Sequence, residues 1–167
     1  MGRKDAKSQT KIIRKLQKVI SSLQAHVGVG KYLIANSKNL FNGWIDDDFG
    51  KRGCNVTSEP TKKSRVIVYE MIKSGTIRQI YNEFGKDLDK VCLTQSQIIQ
   101  FVERYRTWLR TDGWGTFFLF KSVRGFVIAD VYIRNDGHLG VGAIRFSNSN
   151  VWGVSRRRRF VIPQLAA

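Results

Sequence analysis

The sequence predicts an α+β fold in three parts: an N-terminal amphipathic helix, a helical segment, and a C-terminal four-stranded antiparallel β-meander packed on the helices. Three observations carry this expectation. Apolar residues recur at helical spacing in several stretches before residue 114. After residue 114 the apolar pattern becomes an alternation. Gly125 and Asp136-Gly137 then fall where successive strands must turn. The 167 residues are 42% apolar, enough for one core. They divide into a basic helix at 1–25, an irregular connecting segment at 26–63 and an α+β domain at 64–167.

Residues 3–25 read as one helix. Ile12, Leu16, Val19 and Leu23 follow a single helical face, broadened by Ile13 and Ile20. Lys4, Lys7, Lys11, Arg14 and Lys18 form a second stripe, with Lys15 beside it. No acid follows Asp5 within this stretch, so the stripe lacks i,i+4 partners and points to an anionic ligand. Gly28 and Gly30 then break the helix. Short apolar pieces follow at Tyr32-Leu33-Ile34 and Leu40-Phe41, then Trp44 and Phe49 around three aspartates.

Residues 66–73 read as a short helix closed near Ser74-Gly75. Thr76 supplies an N-cap for a second helix that buries Ile77, Ile80, Tyr81 and Phe84 and ends at Gly85. Thr94 with Gln97 is a capping-box pattern opening a third helix, closed by Asp112-Gly113. Its buried face carries Ile98, Val102, Tyr105 and Leu109. Strands are expected at 116–121, 126–134, 139–146 and 156–162. If Asp136 and Gly137 alone form the turn, Asn135 opposes His138. Val127, Ala129, Val131 and Ile133 then share a helix-facing side with Phe146, Ile144, Gly142 and Gly140. The two glycines make room for a large side chain such as Trp108 or Tyr105. The outer side pairs Ile128, Asp130, Tyr132 and Arg134 with Arg145, Ala143, Val141 and Leu139 and faces solvent.

Charge carries the functional expectation. Lys and Arg number 29 against 13 Asp and Glu, a net charge of +16. The cations are spread, with 11 in residues 1–60, 10 in 61–114 and 8 in 115–167. The domain itself is therefore basic, and its field favours a polyanion such as RNA or DNA. Tyr132 is expected to stack on a base, with Arg134 and Arg145 on phosphates. Arg156, Arg157, Arg158 and Arg159 put two arginines on each face of a strand, which a central strand could not bury. They are expected at an edge or a strand end, binding phosphate through guanidinium forks. The N-terminal lysines and Arg14 add backbone affinity. The protein is thus expected to be a nucleic-acid-binding module favouring RNA or single-stranded DNA.

No run of about 18 apolar residues is present for a transmembrane helix, and no apolar stretch follows the basic N-terminus as in a secretory signal. Cys54 and Cys92 lack zinc-site spacing and read as reduced thiols of a cytoplasmic protein. The aspartates at 46–48 have no second acidic cluster, and no phosphate loop or nucleophile elbow occurs, so neither metal nor cofactor is expected. Two alternatives remain. One is a metal-independent ribonuclease using Tyr132, Arg134, His138 and Arg145. The other is an adaptor whose basic helix meets an acidic protein or membrane surface.

Three resemblances accompany these residues. The helix-then-meander order over the last 100 or so residues resembles the small ribosome-dependent RNase toxins of the RelE type. The helices at 66–73, 76–84 and 94–110 followed by a hairpin resemble a winged helix-turn-helix. The stretch from Leu93-Thr94-Gln95 through Gly115-Thr116-Phe117-Phe118, with Phe160-Val161-Ile162-Pro163-Gln164, is similar to small uncharacterised bacterial proteins. That similarity spans roughly residues 64–167, implies a bacterial cytoplasmic setting and assigns no site residue.

Overall fold

The computed structural model describes residues 11–23, 32–58 and 64–164. In chain order the elements are β1 (Ile13–Leu23), β2 (Trp44–Ile45), α1 (Asp48–Lys51), β3 (Ser64–Met71), α2 (Ile77–Asn82) and α3 (Gln95–Arg104). After these come β4 (Thr116–Ser122), β5 (Gly125–Ile133), β6 (Leu139–Arg145) and β7 (Arg159–Pro163). All seven strands form one mixed sheet in the order β1-β3-β7-β4-β5-β6-β2. The pairs β7–β4 and β2–β6 are parallel and the others antiparallel.

This architecture is α+β, but it corrects the expected arrangement in three places. Where the N-terminal helix was expected, residues 13–23 form a strand paired with β3, with Ile13 opposite Met71 and Arg14 opposite Glu70. Apolar residues at i, i+3 and i+4 also fit a strand whose register shifts, as β1 does after Lys15 and Ile20. Lys4 and Lys7 lie outside the described residues. In place of the helix expected at 66–73, β3 runs through Met71, and its Val66, Ile67 and Val68 are three consecutive β-branched residues, all buried. Such a run fits a strand covered on both faces.

The third correction concerns the meander. β4, β5 and β6 do form a three-stranded meander, but β7 does not continue it. β7 lies between β3 and β4 in the middle of the sheet. Its core, Phe160, Val161 and Ile162, is buried throughout and needs cover on both faces. The tetra-arginine segment precedes this central strand, and only Arg159 belongs to it.

Both faces of the sheet are covered. On one, Val66, Val68, Phe118, Phe120, Val131 and Val161 meet Phe49 of α1 and Ile98, Phe101 and Val102 of α3. On the other, Phe117, Leu119, Ile128, Phe160 and Ile162 meet Ile77, Ile80 and Tyr81 of α2, with Phe146, Trp152 and Val154 packed alongside. The face expected to be open to solvent is therefore a second core. The capping box expected at Thr94 and Gln97 opens α3, and the N-cap expected at Thr76 opens α2 as a full box with Gln79. α3 stops at Arg104, short of the expected 110, and a 3-10 turn at Arg106–Trp108 follows.

The β5–β6 turn has three residues, not two. Asn135, Asp136 and Gly137 make it, with Gly137 at φ +82° and Arg134 N–H donating to the His138 carbonyl at 2.8 Å. Pairing moves by one residue, so Val127 opposes Arg145 and Tyr132 opposes Gly140. Every β6 side chain changes face relative to the expectation. Val141 and Ala143 enter the α3-side core, while Gly140 and Gly142 lie beside Tyr132 and Asp130. Arg145 passes to the opposite face from Tyr132. Among the described residues no helix is long and apolar enough to cross a membrane.

Candidate nucleic-acid interface

One end of the sheet gathers aromatic, cationic and glycine positions on the α2-side face. The outermost row runs from Met71 of β3 through Arg158, Gly115, Tyr132 and Gly140 to Trp44 of β2. Phe160, Phe117, Asp130 and Gly142 form the next row inward. The glycines are steric requirements. The Tyr132 ring lies across Gly140, where a Cβ would overlap it, and Asp130 Oδ1 occupies the space a Cβ would need at Gly115. A Cβ at Gly142 would instead sit in ordinary contact with Trp44 at 3.8 Å and Asp46 Oδ2 at 3.9 Å. Trp44 itself is 48% exposed.

Cations and indoles alternate beside this row. The Arg156 guanidinium lies 4.1 Å from the Trp114 ring centre. Arg158 lies 5.8 Å from the same ring and 4.5 Å from Trp152, which packs edge-on against Phe117. Arg156 and Arg157 are exposed, and no carboxylate pairs with either among the described residues. Arg157 holds a left-handed backbone, φ +42°, at the corner between the 3-10 turn Val154–Arg156 and β7. That conformation costs a non-glycine residue about 1 kcal/mol.

Arg158 is buried, and its Nε and Nη1 have no hydrogen-bond partner. Asp130 Oδ1 and Trp152 Nε1, also shielded from solvent, are likewise unpartnered. Burial pushes the Asp130 carboxyl up to about 7, against the pull of Arg158. Burial also lowers Arg158. The Tyr132 hydroxyl is raised, first by burial and then by the Asp130 charge. Tyr132 and Arg134 line an open depression of about 410 Å³ with Gly113 and Asp136. Arg134 donates from Nη1 to the Gly43 carbonyl at 2.7 Å and lies 3.5 Å from Asp136.

The expected site residues thus separate. Tyr132, Arg134, Arg156, Arg157, Arg158 and Arg159 meet at one end of the sheet. Arg159 is committed there to structure, donating to the Trp108 carbonyl beside the Glu70 charge, and Glu70 also pairs with Arg14 at 2.8 Å. Lys11 is exposed ahead of β1, and Lys15 and Lys18 lie within that strand. Arg145 is at the far end of β6 on the other face. The ribonuclease set of Tyr132, Arg134, His138 and Arg145 is therefore not assembled around one point. His138 instead lies 3.5 Å from Asp136 at the turn. Among the described residues no group of three His, Cys, Asp or Glu side chains is placed to hold a metal ion. Burial pushes the Cys54 and Cys92 thiols up to about 11 and about 12.

The sequence assigns no binding role to Trp44, Trp114 or Trp152. The available signal was glycine inside strands: Gly140 and Gly142 marked a close approach, but the occupant is Tyr132, not Trp108 or Tyr105. Comparison of the chain with protein-family models, curated proteins and solved structures finds no match.

Proposed function

We propose that the protein binds single-stranded nucleic acid, RNA or single-stranded DNA, at this end of the sheet. Arg156 stacked on Trp114 is the observation that carries the reading. An exposed cation–π contact contributes about 0.5–1 kcal/mol. A base stacked on the same indole contributes about 1–3 kcal/mol. A base that displaces Arg156 therefore gains more than the guanidinium loses, and the freed arginine, with Arg157, takes the adjoining phosphate. Tyr132 and Trp44 extend the aromatic surface over Gly140 and Gly142. Bases reach these rings only when unpaired, which favours a single strand over a duplex.

Fluorescence anisotropy with labelled decauridylate, decathymidylate and a DNA duplex, at two salt concentrations, tests this. Both single strands are expected to bind more tightly than the duplex. Trp114→Ala is expected to weaken them roughly tenfold. The R156A/R157A pair is expected to lower the log–log salt slope by about 0.7 for each phosphate no longer held by an arginine. Absence of binding near physiological salt, or unchanged binding by both variants, removes this reading. Cleaved RNA recovered from the titration would replace it with the ribonuclease.

A further inference from the structure

Arg145 stands apart from the surface just described. It lies five residues along β6 from Gly140, about 17 Å away, and on the other face. There it borders a separate depression of about 470 Å³, lined also by Arg52, Ser147, Asn148, Ser149 and Asn150. The lining is mainly polar. Asn148 N–H donates to the Arg145 carbonyl at 3.0 Å, and Asn148 Oδ1 accepts from Asn150 N–H at 2.9 Å, so the run 147–150 is held in a tight turn beside the depression it lines.

Arg52 is fixed in place. Its Nε donates to the Ala143 carbonyl at 3.1 Å and its Nη2 to Asp48 at 2.9 Å, with the side chain 18% exposed. Nη1 has no protein acceptor among the described residues, and a guanidinium already held still loses little freedom on taking a ligand. Arg145 is exposed and has no carboxylate partner among the described residues. Neither Asp46 nor Asp48 pairs with Arg145 among the described residues. Asp48 is met by both Arg52 and Lys51, the latter at 3.3 Å. Asp46 accepts the backbone N–H groups of Asp48 and Ala143.

We propose that this depression is a phosphate-binding subsite, in which Arg52 and Arg145 hold one phosphate group while the run 147–150 donates to its remaining oxygens. A guanidinium fork matches phosphate geometry, and serine hydroxyls and asparagine amides supply neutral donors around it. The phosphate comes either from a nucleic-acid backbone or from a small phosphomonoester. The backbone as source rests on the function proposed above; the small ligand does not.

Full-length ¹⁵N-labelled protein is titrated with inorganic phosphate at constant ionic strength, then with decauridylate lacking terminal phosphates. Saturable shifts are expected at the amides of Ser147, Asn148, Ser149 and Asn150 and at Arg52 Nε–H. Arg145→Gln, an exposed change that spares the core, is expected to weaken them about tenfold. Shifts at these amides with the decamer support the subsite with backbone as the source. Shifts with inorganic phosphate alone support it with a small phosphomonoester. No saturable shift with either probe, or shifts untouched by Arg145→Gln, overturns it. The Trp114 indole N–H reports the sheet end in the same spectra. A decamer that moves Trp114 while residues 147–150 stay still with both probes overturns the subsite and leaves the proposed function standing. Phosphate shifts at 147–150 with a silent Trp114 support the subsite and count against that function.

Discussion

The carboxyl of Asp130 sits where its neutral form is favoured. In the unfolded chain it ionises near 3.9, and in the fold near 7. Between those values the native state keeps a proton that the unfolded state has lost, so stability falls as pH rises through this window and levels off above it. The slope approaches about 1.4 kcal/mol per pH unit. Asp130→Asn should flatten the dependence, read as urea midpoints at pH 5 and pH 8. Equal losses in both proteins would refute the assignment. Gly140 offers a second test. Gly140→Ala forces a methyl into the Tyr132 ring and should cost about 1–3 kcal/mol. Combined with Tyr132→Ala the loss should be smaller than the sum, in a double-mutant cycle on thermal unfolding. At this scale the sequence announced the glycines and the arginines. It did not announce that Asp130 is shielded, because the groups it meets, the backbone at Gly115 and the charge of Arg158, are distant in the chain.

Elements were legible where local chemistry decides them. The capping box at Thr94 and Gln97 is a four-residue pattern, the cap at Thr76 a single residue, and both form. The strand pair around Asp136-Gly137 was also legible, but its register depended on whether the turn used two or three residues, and Gly137 serves either. Residues 13–23 and 66–73 were misread because helical spacing over so short a stretch is outweighed by pairing with a neighbour. That pairing has a test in Glu70, buried on β3 between Arg14 of β1 and Arg159 of β7. Glu70→Ala removes the carboxylate that pairs with Arg14 and whose charge faces Arg159, and should cost about 1–3 kcal/mol. Arg14→Ala, at the half-exposed end of the ion pair, should cost under about 1 kcal/mol. Chemical denaturation of the two variants checks the order. A larger loss for Arg14→Ala would mean that Glu70 is not the shared partner.

At the scale of the whole molecule, the excess positive charge was plain from the sequence, and so was its spread along the chain. Strand order was not. Nothing in the local pattern of residues 159–163 says that they join β3 to β4 rather than extend a meander. Only the unbroken apolar core of that strand hinted at cover on both faces. The edge position of β1 also has a consequence for the intact fold. Removing residues 1–25 strips β3 of a neighbour and leaves its backbone N–H and C=O groups unpaired. Light scattering should then show self-association, and the melting temperature should fall. A monomeric fragment with unchanged melting would show that β1 contributes little to closing the sheet.

The central place of β7 also sets a timetable for synthesis. Until residues 159–163 leave the ribosome, the nascent chain can hold only two unconnected half-sheets, β1 with β3 and β4 with β5, β6 and β2. Each half presents a raw inner edge where β7 will later insert. Commitment to the native topology is therefore late, and a stalled or truncated nascent chain is the species most exposed to chaperones and to mispairing.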